Sequence, residues 1–229
     1  MDIAIVDRDR EFCNRLSQMI KNLFNNELVT HSFDNTDDME NSETELKIIF
    51  LNADDPQISG INYSKLNWNK FIIFVADSDE NIKDAFGPNV FAFILKTETL
   101  DEFQQRVSEA LTDIIKFEYA TLVIRREKKY FFIDDILYCQ YIGGNNVAFV
   151  YHNQQYIYKG CSLKKMKEIL RNRFIYVDKS TIVNRSKIYK SNTHQVYIEG
   201  IRQAFDVSVR NRSQIKKHFS QYRCINIES

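Results

Sequence analysis

A 229-residue chain that is 44% hydrophobic has ample material for packed cores. It shows neither the ~18 consecutive apolar residues of a spanning helix nor an apolar segment behind a basic amino terminus, so a globular, cytoplasmic protein is expected. The zero net charge hides two unlike halves: residues 1–117 carry 11 Lys+Arg against 22 Asp+Glu, and residues 118–229 carry 20 against 9.

In the acidic half, residues 3–6, 28–33, 47–51, 71–75 and 90–95 are apolar runs of buried-strand length, rich in Ile, Val and Phe. Phe12, Leu16, Met19, Ile20 and Leu23 recur at helical spacing, as do Leu100, Phe103, Val107, Ala110, Leu111 and Ile114. Residues 34–45 are too acidic and too poor in apolar side chains to predict more than a weak helix or a loop. Alternating β and α segments with short connections predict a doubly wound, five-stranded parallel sheet.

Ligands of such sheets bind beyond the carboxyl ends of the strands, so the residues there are read together. They are Asp7-Arg8-Asp9, Asn52, Ala76 and Lys96. With the stretches IAIVDRD, IIFLNADDPQISGI, FIIFVAD and FAFILKT, residues 1–117 resemble a response-regulator receiver domain. The resemblance implies a phosphoryl-accepting aspartate where this chain has Asn52, a second metal-holding acid where it has Arg8, and a hydroxyl residue where it has Ala76. Asp7, Phe93 and Lys96 are the positions that match. A carboxamide is no nucleophile toward phosphorus, and a guanidinium offers no lone pair to Mg²⁺. The reading is a degenerate pocket of Asp7, Arg8, Asp9, Asn52, Ala76, Phe93 and Lys96, with no bound metal or cofactor. Within it, Arg8 is expected to pair with Asp7 or Asp9 and stand in for the cation; a neighbouring acid, Asp54 or Asp9, accepting phosphate instead is the alternative.

The basic half changes character near residues 117–120, without a flexible linker. Residues 121–125, 129–133, 136–141, 147–151, 155–158, 174–177, 195–199 and 204–207 cluster β-formers between turns such as Gly143-Gly144-Asn145-Asn146. One amphipathic helix fits residues 162–170, with Ser162 as its cap, and another follows Ser208 to about Phe219. A compact basic half without a charge run suits phosphate binding, since neutralising backbone phosphates releases counterions; two ordinary domains of different isoelectric point would show the same asymmetry.

The segments ILYCQYIGGNN, GCSLKKMKEIL, FIYVDKSTIVNRSKI and AFDVSVRN, in that order and spacing, resemble the LytTR family of DNA-binding domains. The pattern Phe174, Val177, Ser180, Val183, Asn184 is part of the likeness. The resemblance implies a mainly β module whose loops enter successive major grooves of double-stranded DNA at tandem or repeated sites. Its base-contacting positions fall on Asn146, Lys179 and Arg210, and candidate phosphate contacts on Ser180, Ser208, Asn211, Arg185 and Arg212. Arg210 is able to pair with guanine and Asn146 with adenine. Asp178 stands where the family often has histidine. Each residue has a plainer alternative: Asn146 holding a turn at positive φ, Lys179 a solvated lysine, Arg210 a local cap or ion pair.

Cys13, Cys139, Cys161 and Cys224 form no CxxC pair, and His31, His152, His194 and His218 show no ligand spacing, so ordinary thiols and no structural metal are expected. The organisation is a receiver-like domain at 1–117 and a LytTR-type domain at 118–229. The expected function is a sequence-specific transcription regulator, not an enzyme, independent of aspartate phosphorylation and dimeric through its first domain. Two alternatives are an interaction protein that titrates a related regulator by heterodimerisation, and a haloacid-dehalogenase-like phosphatase using Asp7 and Asp9. Against the phosphatase stand Glu11, where that family has a hydroxyl residue or Val, and the want of a later acidic metal motif.

Overall fold

The computed structural model describes residues 1–192 and 194–223 and divides into two compact units, Met1–Phe117 and Glu118–Ser229. Cys224 lies outside the described residues; Cys13, Cys139 and Cys161 are buried free thiols. No described helix is long and apolar enough to cross a membrane.

The first unit holds strands β1 (Asp2–Val6), β2 (Val29–Phe33), β3 (Ile48–Asn52), β4 (Phe71–Ala76) and β5 (Val90–Leu95), all parallel in the order β2-β1-β3-β4-β5. The central strands are buried on both faces, which is why they read as unbroken apolar runs. Ala4, Val6, Ile49, Leu51, Ile72 and Phe74 form one cluster with Met39 of helix α2 (Thr36–Glu40), against which Ile61 of α3 (Gly60–Leu66) packs. Alternate residues such as Ile3, Ile5 and Phe50 face the other side. Helices α1 (Arg10–Leu23) and α4 (Leu100–Glu118) meet through Phe12 and Phe103, whose rings stand edge to face at 6.0 Å.

Residues 34–45 contain a five-residue helix, in line with the weak helix or loop expected there. Two features differ from the sequence expectation. Helix α3 forms where no helix was predicted, because GINYSKL is short and leaves Leu66 exposed. Among the described residues no helix joins β4 to β5; residues 77–89 are turns. That stretch has few apolar residues and ends in Gly87-Pro88, which cannot continue a helix.

The second unit is mainly β. An antiparallel sheet runs β10-β9-β8-β12-β11, from β8 (Ile136–Gly143), β9 (Asn146–Tyr151), β10 (Gln154–Lys159), β11 (Phe174–Tyr176) and β12 (Thr181–Asn184). Beside it lie the hairpin of β6 (Tyr119–Ile124) with β7 (Glu127–Phe132) and a three-stranded sheet of β13 (Ile188–Ser191), β14 (Gln195–Ile198) and β15 (Phe205–Asp206). Helix α5 (Leu163–Leu170), capped by Ser162 accepting from the Lys165 N–H, buries Leu163, Met166 and Leu170 against Phe131, Phe149 and Phe174. Helix α6 (Arg212–Arg223) contributes Ile215 to a separate cluster with Val183, Val196 and Phe205. Strands β12 and β13 escaped prediction. The central β12 is only four residues long, between polar segments, and pairs with distant β8, so its burial is a tertiary effect.

Candidate nucleic-acid interface and receiver-type pocket

At the carboxyl edge of the parallel sheet, β1 and β3 are neighbours whose outer neighbours lie on opposite sides, the switch point where doubly wound sheets open a crevice. Asp7 and Asn52 flank it, 2% and 6% exposed. The Asp7 Oδ2 takes a 2.7 Å ion pair from Lys96 Nζ and a 3.0 Å hydrogen bond from Asn52 Nδ2, while its Oδ1 accepts from the Asp9 N–H. Asn52 Oδ1 accepts from the N–H groups of Asp54 and Asp55. A Cβ on Gly60 would sit 2.4 Å from the Asn52 carbonyl oxygen, so only glycine allows α3 to start here. Ala76 is buried at the end of β4 and accepts from the Lys96 N–H; Phe93 packs on Phe74, ring centroids 6.1 Å apart.

Arg8 departs from expectation. It pairs with neither Asp7 nor Asp9 but extends over the 55–57 loop, Nη1 donating to Gln57 Oε1 at 2.5 Å and lying 3.9 Å from Asp55. Asp7 turns inward and Arg8, the next residue, outward, so the cation held beside Asp7 is Lys96. Asp9 caps α1, accepting from the Phe12 N–H at 2.9 Å, and that bond holds its carboxyl below the usual range. This is the wrong direction for a general acid. Asp54 is taken up by the N–H groups of Asp77 and Ser78 and by Asn81 Nδ2.

In the second unit, main-chain bonds gather three loops. The Tyr141 N–H, on the strand leading into the 143–146 turn, donates to the Ser180 carbonyl, and the Ser208 N–H donates to the Val177 carbonyl. The candidate base readers Asn146, Lys179 and Arg210 belong to these loops. In the turn, Gly143, Gly144 and Asn145 carry positive φ while Asn146 opens β9, so the left-handed position belongs to Asn145 and not to Asn146. Asn146 Nδ2 donates to the Gly143 carbonyl at 3.2 Å. Asp178 shapes the central loop by accepting from the N–H and Oγ of Ser180, which leaves Lys179 exposed at its tip. Arg210 lies in a 3-10 turn ahead of α6, exposed and with no carboxylate partner among the described residues.

The candidate phosphate positions divide. Ser208 Oγ and Asn211 Nδ2 are shielded from solvent and have no hydrogen-bond partner among the described residues, and Arg212 Nη2 bonds His194 Nδ1 at 2.8 Å. Arg185 sits at the far end of β12 from the 178–180 loop, about 13 Å of strand away. Its carbonyl accepts from His218 Nε2, and burial pushes the His218 ring below its ordinary pKa. Asn184, in the same motif, is a structural clamp. Its Nδ2 faces the carbonyls of Ile133, Asp134 and Ile136, and its Oδ1 accepts from Ser186.

Fold and loops together define a doubly wound unit followed by a β-rich module with a basic, loop-built edge. Residues 127–220, most of the second unit, match the family model of the LytTr DNA-binding domain, and the unit before them in the chain is a doubly wound five-stranded parallel sheet. Among solved structures the chain is similar to the LytTr DNA-binding domain of a methyl-accepting/DNA response regulator from Bacillus cereus, at 17% identity over 44% of this chain and 96% of that one, TM-score 0.37. It is similar also to the response regulatory domain of protein mrkE from Klebsiella pneumoniae, at 25% identity over 49% and 97%, TM-score 0.42. A two-component response regulator from Clostridium difficile is 16% identical over 50% and 98%, TM-score 0.42. No curated protein matches the chain.

Proposed function

We propose that the protein is a cytoplasmic, sequence-specific transcription regulator of the response-regulator type whose first unit works without aspartate phosphorylation. The observation that carries the DNA reading is the pair of exposed cations, Lys179 and Arg210, on loops fastened to one another, with no carboxylate partner among the described residues. Phosphate contacts position such a module; Arg210 and Asn146 supply the base-edge donors that specify sequence. Ser180, Ser208, Asn211, Arg185 and Arg212 are assigned to the backbone, Lys179 to a base or a phosphate.

Independence from phosphate is supported by the pocket's chemistry. Asn52 presents an amide, its oxygen is occupied by two main-chain N–H groups, and the nearby acids Asp9 and Asp54 are engaged elsewhere. Repeated sites are read by two copies joined through the first unit, which exposes Leu66, Trp68 and Phe86; sedimentation of the full chain checks the dimer.

Binding of Arg210→Ala to duplexes selected from a random pool tests base readout. The change is expected to cost about 1–3 kcal/mol and relax preference at one position. An equal loss on every sequence sinks the base-reading role. Intact mass after incubation with acetyl phosphate is expected to show no phosphoryl adduct; an adduct that disappears in Asn52→Ala refutes phosphate independence.

A further inference from the structure

The β6–β7 hairpin turns on Arg125 and Arg126, at φ of 53° and 71° between the paired residues Ile124 and Glu127. Two-residue turns with both central residues at positive φ favour Asn-Gly, and a bulky side chain there is strained. Two adjacent arginines are thus a locally unfavourable choice. They line a groove of about 870 Å³ between this hairpin and β10, with Lys129, Lys159, Val123 and Tyr156 also on its walls. No carboxylate among the described residues lines it. Lys129 lies 3.4 Å from Glu127, whereas Arg125, Arg126 and Lys159 are exposed and have no carboxylate partner among the described residues.

The groove is continuous with the proposed base-reading edge. Lys159, at the end of β10, is the register partner of Asn146, so one end of the groove lies a single strand spacing from that loop. Strand β10 runs about 17 Å, the rise of about five base pairs at 3.4 Å each.

We propose that this groove holds the sugar–phosphate backbone of the duplex next to the bases that Asn146 faces, with Arg125, Arg126 and Lys159 as its phosphate contacts. The inference rests on the DNA-binding reading above and extends its footprint to a hairpin outside the three loops. A chain of phosphates suits a long open groove walled by unpaired cations, and guanidinium groups bind phosphate bidentately. Contacts of this kind carry no sequence information.

The test compares the full-length protein with its Arg125→Asn/Arg126→Gly double variant, and with Lys159→Gln. Binding is measured from low to moderate salt on a selected and on a random-sequence duplex of about three helical turns, roughly 31 base pairs. The double variant introduces the favoured turn residues, so its Tm is expected to equal or exceed that of the wild type and misfolding does not confuse the result. Its log–log salt slope is expected to fall by about two and that of Lys159→Gln by about one, with weaker binding to both duplexes and an unchanged ratio between them. Wild-type slopes and affinities in both variants overturn the proposal, as does a loss confined to the selected duplex. If the wild type binds both duplexes equally, the base reading fails, and the groove is still judged by the slope. If it binds neither, both fall.

Discussion

At the edge of the parallel sheet, Asp7, Asn52, Asp54 and Asp9 are bonded to one another, to Lys96 or to nearby main-chain N–H groups. On the loops of the second unit, Lys179 and Arg210 point outward with no carboxylate partner among the described residues. A closed polar network stabilises its own unit and has little left to offer an incoming group. An open cationic edge contributes little to folding, and its charge is available to an anion.

The largest effect is expected from breaking the closed side. Lys96→Met leaves Asp7 charged and buried without its cation and should cost the first unit about 3–5 kcal/mol in denaturant unfolding. A change within error would show that Asp7 does not depend on Lys96, and the contrast would collapse. Next, Asn184→Ala should destabilise the second unit by about 1–3 kcal/mol, since it strands buried carbonyls that the amide now satisfies. The comparison sharpens if that loss leaves the preference among duplexes unaltered, because stability and recognition then rest on different side chains. The smallest effect concerns His218, whose burial lowers its pKa from an ordinary 6.5. The unfolded chain takes up the proton more readily, so stability is full above about pH 6.5 and declines as pH falls from there toward the lowered folded value. Thermal unfolding across that window should show the decline in the wild type and a flatter profile in His218→Gln.

Much of this was legible in the residues. Unbroken apolar runs announce strands buried on both faces, and those runs place Asp7, Asn52 and Ala76 at or just beyond strand ends, where the structure has them buried. What escaped depended on contacts distant in sequence. The outward course of Arg8 follows from the 55–57 loop that receives it, and no local pattern carries that information. The turn position went to Asn145 instead of Asn146 because the register of β8 with β9 pairs Gly143 with Asn146. Strand β12 owes its existence to β8, some forty residues away. The cationic groove went unnoticed since Arg125, Arg126 and Lys159 are unremarkable until the hairpin packs against β10.

The bonds from Tyr141 to Ser180 and from Ser208 to Val177 have a consequence for any target duplex. Segments fastened by their own backbones cannot slide independently, so the distance between points of contact is set before DNA arrives. The ordering entropy is lost in folding and not at the encounter. On the reading proposed above, a wrong interval would cost such a module more than a wrong base: one base pair inserted between two contacts displaces everything beyond it, and no side-chain rotation restores the match.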